Sequence, residues 1–157
     1  LDTPFTLLST SILEVFKQQA TEDYHNNGNC EVIFLSTLKK LVIVSIVPFL
    51  ILYLLSPFLF AFIFGSEWRI SGEFAQVLTL MYFFKFISSP LSYVFYIVNK
   101  IHVDLILHIF VLIIVFSSIY IGHIIFQEPS QTLFIFSLGY SLIYIVYLFF
   151  SYKFSKG

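Results

Sequence analysis

Leu41–Phe64 reads LVIVSIVPFLILYLLSPFLFAFIF, a run without one charged side chain. A helix rises 1.5 Å per residue, so about 20 apolar residues cross the roughly 30 Å of bilayer hydrocarbon. Three further stretches reach that length: Phe74–Val98, Val103–Phe126 and Thr132–Tyr152. A helix bonds its own backbone polar groups internally, which is the condition for crossing lipid. The fold class read from these runs is all-α, a polytopic membrane helix bundle of four full transmembrane helices plus an N-terminal partial helix. Residues 1–20 read as the end of a preceding transmembrane helix, and residues 21–40 as a loop and helix start. Residues 41–157 read as the bundle, with spans at 41–64, 74–98, 103–126 and 132–152.

Composition agrees. Of 157 residues, 59% are hydrophobic and 11% charged, where a soluble domain carries roughly 25% charged residues. Mean hydropathy is +0.93. So little polar surface cannot cover a water-exposed globule, and the lipid bilayer is the expected solvent. A net charge of −1 gives no field that would draw nucleic acid, and Cys30, the lone cysteine, leaves no internal disulfide. Leu1 to Lys17 is too short and too rich in Thr and Ser to span alone. It is read as the tail of a helix begun upstream, and the chain as a fragment of a larger protein.

The connections Gly65–Glu73, Asn99–His102 and Gln127–Gln131 are short, which predicts that consecutive spans are antiparallel neighbours. Thr21–Asn29 (TEDYHNNGN) is polar, and its Asn and Gly residues favour a turn. Asn29 is the expected cap of the next helix, with Glu31 favourable in the first turn. Six lysines fall on one side of the spans (Lys17, Lys39, Lys40, Lys100, Lys153, Lys156), and only Arg69 on the other. By the positive-inside rule, residues 21–40, the Asn99–Lys100 turn and the C-terminus face the cytoplasm of a multi-pass plasma (inner) membrane protein. Trp68, Tyr96 and Tyr152 suit the interfacial aromatic belt. Pro48, Pro57 and Pro90 fall inside spans, where each removes a backbone donor and favours a bend.

The eighth cation, Lys85, lies within a span. Thr79, Tyr82, Lys85, Ser89, Ser92, Tyr96 and Asn99 recur at steps of three and four, which places them on one helix face. Lys85 lies roughly 18 Å from the end of its span at Val98. An unmatched charge in lipid costs at least about 2.5–3.5 kcal/mol, so this face is expected to line a cavity or an interface. Lys85 with Tyr82, Ser89, Ser92 and Tyr96 is the candidate substrate-binding set. Weaker polar stripes run along Thr3, Thr6, Thr10, Glu14 and Lys17, and along Ser137, Ser141, Tyr144 and Ser151; helix–helix contact explains these. Asp104 and His108, one turn apart, form the candidate ion-coupling pair, because such groups in spans mark ion pathways. Asp104 lies roughly 13 Å from Lys85 along the bundle axis, too far to be its partner. His102, His123, Glu67, Glu73 and Glu128 sit at boundaries. No spacing fits a metal site, a phosphate-binding loop or a nucleophile with its base, so no catalytic residue, metal or cofactor is expected.

Phe64–Gly72 reads FGSEWRISG. This resembles the Phe-Gly-x-x-Trp-x-x-(Ala/Gly)-Gly junction in the C-terminal half of polysaccharide flippases of the multidrug/oligosaccharidyl-lipid/polysaccharide exporter superfamily. Phe64, Gly65, Trp68 and Gly72 carry the match. EFAQVLTLMYFFKFISSPLSYVFYIVNK is similar to the family's next helix, and PFTLLSTSILEVFKQQA to the end of the preceding one. The resemblance implies the end of helix eight and helices nine to twelve of a twelve-helix, two-lobed fold, with the N-terminal lobe as the absent partner. It implies flipping of lipid-linked oligosaccharide units, such as O-antigen units for lipopolysaccharide, by alternating access and without an enzymatic step. Lys85 is the candidate contact for the anionic diphosphate or sugar, from its depth and stripe. Two other readings fit the residues: a small multi-span enzyme using Asp104 and His108 as acid and base, or a structural assembly subunit.

Overall fold

The computed structural model describes residues 2–157, with side chains at 6–122, 124–125 and 127–157. Leu1, the Thr3 end of the first polar stripe and the His123 side chain lie outside the described residues. Among these residues there is no strand. The helices are α1 (Asp2–Asn27), α2 (Glu31–Phe64), α3 (Arg69–Leu91), α4 (Val94–Ile97), α5 (Ile101–Ile121) and α6 (Pro129–Ser155). Four segments are long and apolar enough to cross a membrane: Glu31–Phe64, Ser66–Ile97, Ile101–Ile121 and Pro129–Ser155. The protein is therefore an all-helical bundle compatible with a membrane-embedded chain.

Several boundaries differ from the sequence reading. Thr21–Asn27, expected as loop, continues α1, and the turn shrinks to residues 28–30 with Gly28 at φ 73°. Asn and Gly do stop the helix there, but only at the Asn27–Gly28 step, because Phe16 and Ala20 keep α1 docked below it. Asn29 does not cap α2. Cys30 occupies the cap position without a side-chain bond, and Asn29 Nδ2 donates to Asn27 O instead. The Cys30 N–H is satisfied from outside the helix, by Ser155 O at 2.8 Å. Pro48 and Pro57 lie within α2 without ending it.

The second span begins earlier than Phe74, because a 3-10 turn over Ser66–Trp68 leads straight into α3. Nor is it one continuous helix. After Pro90 the chain changes to shorter-range bonding, with Phe95 N–H to Ser92 O and Tyr96 N–H to Tyr93 O, both 3.0 Å. Pro90 itself lacks the N–H that would bond Phe86 O, yet α3 continues through it to Leu91, and the change of bonding falls beyond it. The third span passes at Gly122–Phe126 into a π turn, closed by Gln127 in the left-handed region.

Short connections did not make all consecutive spans neighbours. α3 packs on α2, α1 and α6, while α5 packs chiefly on α6 and meets the preceding span mainly through α4. α3 is thus the centre of the bundle, which accounts for its lower apolarity: much of its surface faces protein. α5 and α2 turn broad apolar faces outward, including Ile109, Phe110, Ile113 and Phe116, and Ile43, Val47, Leu50 and Leu54. At the α2–α3 crossing the FGSEWRISG segment has a packing rationale. Gly65 adopts φ 105°, a region open to glycine, and ends α2. Phe64 and Trp68 rings lie 5.7 Å apart. Gly72 lets α3 approach the α2 backbone at Ser56 and Pro57.

At the lysine-rich end, α1, α2 and α6 join around buried Phe16, Ala20, Cys30 and Phe34. Tyr152 donates to Glu31 Oε1 at 2.9 Å, and Lys156 Nζ lies 3.6 Å from the same oxygen.

Candidate functional site

Lys85 projects from the middle of α3 between two hollows. One, about 50 Å3, lies against α1, where Thr6, Ser9 and Thr10 face Tyr82, Lys85 and Ser89. The polar stripes of α1 and α3 therefore meet each other. The second, about 180 Å3, lies toward α5 and α6. Lys85, Ser88, Ser89 and Ser92 form its α3 wall, His108 its α5 wall, and Tyr140, Tyr144 and Tyr147 its α6 wall. The Lys85 ammonium sits 5.9 Å from the Tyr82 ring centroid, at the outer reach of a cation–π contact, and is not without other partners.

Depth can be read from contacts between helices. Phe49 of α2 meets Phe83 and Phe86 with ring centroids 5.8 and 5.9 Å away, which levels Phe49 with Lys85. Lys40 is nine residues down α2 from Phe49, or about 13 Å. Lys17 lies 5.3 Å from the Tyr93 ring centroid, and Tyr93 is eight residues below Lys85, about 12 Å. Both markers place Lys85 some 12–13 Å inside the basic border, shallower than the 18 Å counted from Val98. Lys17 and Lys40 border the bundle before their helices end, since α1 and α2 extend beyond them.

Tyr96 does not reach the Lys85 hollows. Its hydroxyl instead donates to Asp104 Oδ2 at 3.4 Å. Asp104 is 8% exposed. Its backbone oxygen lies 3.0 Å from His108 Nδ1 and 3.2 Å from the Tyr147 hydroxyl, and its Oδ1 lies 3.6 Å from Nδ1. Tyr147 Oη and His108 Nδ1 are 2.6 Å apart. The pair proposed from sequence is in fact a trio, and its His108 belongs to the wall of the Lys85 cavity. The substrate-binding and ion-coupling candidates are thus one polar region, running from Asp104 near the basic border inward to Lys85.

Tyr147 and Ser88 are the residues that sequence reading missed. Tyr147 continues the α6 stripe at the right step between Tyr144 and Ser151, so the signal was present. Ser88 shares the stripe with Lys85 by a step of three where Ser89 takes the step of four. Its hydroxyl is buried without a partner at the cavity wall. The rest of the α6 stripe serves packing: Ser137 Oγ donates across to Val77 O of α3 at 2.8 Å, and Ser141 to Ser137 O.

A wider hollow, about 700 Å3, opens between α2, α3 and α6. Its wall is mostly apolar, with Phe49, Phe83 and Phe134, but also holds Gln76, Thr79 and Ser137, and it contains none of the candidate residues. Among the described residues no group of three His, Cys, Asp or Glu side chains could hold a metal ion.

No protein-family model, curated protein or solved structure matches the chain. The architecture defines an all-helical polytopic bundle of the membrane class, with one polar region built around its central helix.

Proposed function

We propose that this chain is part of a membrane transporter that flips lipid-linked oligosaccharide repeat units across the plasma membrane by alternating access. The observation that carries the reading is Lys85: a cation on the central helix, held between polar hollows inside an otherwise apolar bundle. A fixed cation at such depth suits an anionic group drawn through the membrane, such as the diphosphate of a lipid-linked sugar. The interruption of the span just after Pro90 offers a bending point below Lys85. The likeness at Phe64–Gly72 supports the same reading and implies a second lobe facing this one, with the cavity between. In this reading the basic end is cytoplasmic, with residues 21–40 and the C-terminus on that side.

The test is surface polysaccharide in a producing strain. Lys85→Ala should lower it on the order of tenfold or more, since a charged hydrogen bond contributes about 1.5–3 kcal/mol. Protein level should stay unchanged, and Lys85→Arg should retain most of the activity. Normal polysaccharide in the Lys85→Ala strain would overturn the assignment.

A further inference from the structure

Three oxygens surround a single ring nitrogen of His108. Nδ1 lies 2.6 Å from Tyr147 Oη, 3.0 Å from Asp104 O and 3.6 Å from Asp104 Oδ1, while Tyr147 Oη lies 3.2 Å from Asp104 O. Which nitrogen carries the hydrogen follows from the donor count. A carbonyl and a carboxylate only accept, and a phenol has one hydrogen to give. Were Nδ1 bare, its lone pair would face both Asp104 oxygens. Tyr147 could fill only one of its two short contacts. With the hydrogen on Nδ1, the ring donates toward Asp104 O and Tyr147 Oη, Tyr147 donates to Asp104 O, and the carboxylate adds attraction. Every close separation then contains a hydrogen.

We propose that Tyr147 and Asp104 hold His108 in its Nδ1–H form, so that His108 gains and loses its second proton at Nε2, toward the cavity shared with Lys85. Nε2 stands outside the Asp104–Tyr147 network, on a side chain that is 65% exposed and lines that cavity. The groups that face this ring are Asp104 on its own helix, Tyr140, Tyr144 and Tyr147 from α6, and Lys85 across the cavity from α3. Tyr96 of α4 acts on Asp104. Neutral His108 offers the cavity an acceptor lone pair. Protonated His108 makes a second cation on the wall of a space of about 180 Å3 that already has Lys85. Proton uptake from water at the basic end therefore adds a second cation to the cavity wall and strengthens its hold on an anion, and proton release reverses it. Tyr147 is a positioning residue in this scheme and His108 Nε2 the exchanging atom.

The proposal rests on these distances and not on oligosaccharide transport, so each can fail alone. The test is long-range 1H–15N correlation NMR of the chain in lipid nanodiscs, with 15N-labelled histidine. The chain has four histidines, and loss of one signal in His108→Gln assigns the residue. In its neutral form, native His108 should show a protonated Nδ1 and a bare Nε2 as the major form. Tyr147→Phe should keep the hydrogen on Nδ1, since Asp104 O and the Asp104 carboxylate still only accept, whereas Asp104→Asn removes the charge, supplies an N–H donor and should raise the share of the Nε2–H form. A native His108 with its hydrogen on Nε2 would overturn the proposal without any variant, as would an Nε2–H majority in Tyr147→Phe or an unchanged tautomer ratio in Asp104→Asn.

Discussion

Gly72→Ala destabilises the bundle by up to about 2 kcal/mol net, although alanine is the better helix former. Two effects oppose each other. In a helix interior, alanine is favoured over glycine by about 1 kcal/mol. Against that, a Cβ on Gly72 would stand 2.5 Å from Pro57 Cα and 2.6 Å from Ser56 O. Carbon atoms pack best at about 3.5–4.0 Å, so α3 must move off α2 by an ångström or more. Overpacking of this kind costs about 1–3 kcal/mol, and here it meets backbone, which cannot swing aside as a side chain does. The loss falls on the α2–α3 crossing, where close approach through a small residue holds helices together in lipid. Gly139 is the control. There an added Cβ would meet Ile114 Cγ2 at 2.6 Å, a side-chain methyl that a rotamer change can move. Thermal midpoints of detergent-extracted protein, read by size exclusion, should fall clearly for Gly72→Ala and little for Gly139→Ala. A Gly72→Ala protein as stable as the parent would show that the crossing is looser than described.

The same glycine shows how far the sequence could be read. Gly72 was singled out by its place in FGSEWRISG, as part of a resemblance, and its physical work is packing. Hydropathy exposed the four spans because lipid makes one demand of every lipid-facing residue, and that demand is local. Neighbour order was not legible. Loop length limits how far apart two spans lie, but it did not reveal that α6 would stand between α3 and α5. Only side-chain fit decides that. The Lys85 stripe was legible because a polar face at a step of three and four stands out against an apolar helix. The trio of Asp104, His108 and Tyr147 was legible only on the α5 side, where Asp104 and His108 are one turn apart. Tyr147 comes from another helix: its step on the α6 stripe marks it as polar-facing, but nothing local to α6 says that this face meets Asp104 and His108. Polar composition misplaced the end of α1, since burial of Phe16 and Ala20 outweighs the turn preference of the residues that follow them.

Phe34→Ala opens the lysine-rich end of the molecule, and Cys30 reports it. Phe34 is fully buried, with the Phe16 ring centroid 6.4 Å and the Tyr152 centroid 5.9 Å away. It precedes Lys39 by five residues, so it lies about 7 Å beyond the basic border, on the water side. A phenyl ring removed there leaves a cavity and loses its transfer from water, about 3–5 kcal/mol. Phe86 is nearly as buried but lies at the level of Lys85. Lipid solvates a phenyl ring almost as well as protein does, so Phe86→Ala should cost less. Cys30 is 1% exposed, and burial, with the Asp23 carboxylate adding to it, pushes its thiol up to about 11. The thiolate is the reacting form, so in the native protein the thiol should resist maleimide at pH 7.5, and what labelling occurs should quicken as pH rises toward 11. Being the lone cysteine, it gives an unambiguous signal. A loss of 3 kcal/mol makes opening about 100-fold more frequent, and labelling through the open state should accelerate to match in Phe34→Ala. Equal acceleration in Phe86→Ala, or none in Phe34→Ala, would mean that the aromatic cluster at the basic end does not hold α1, α2 and α6 together.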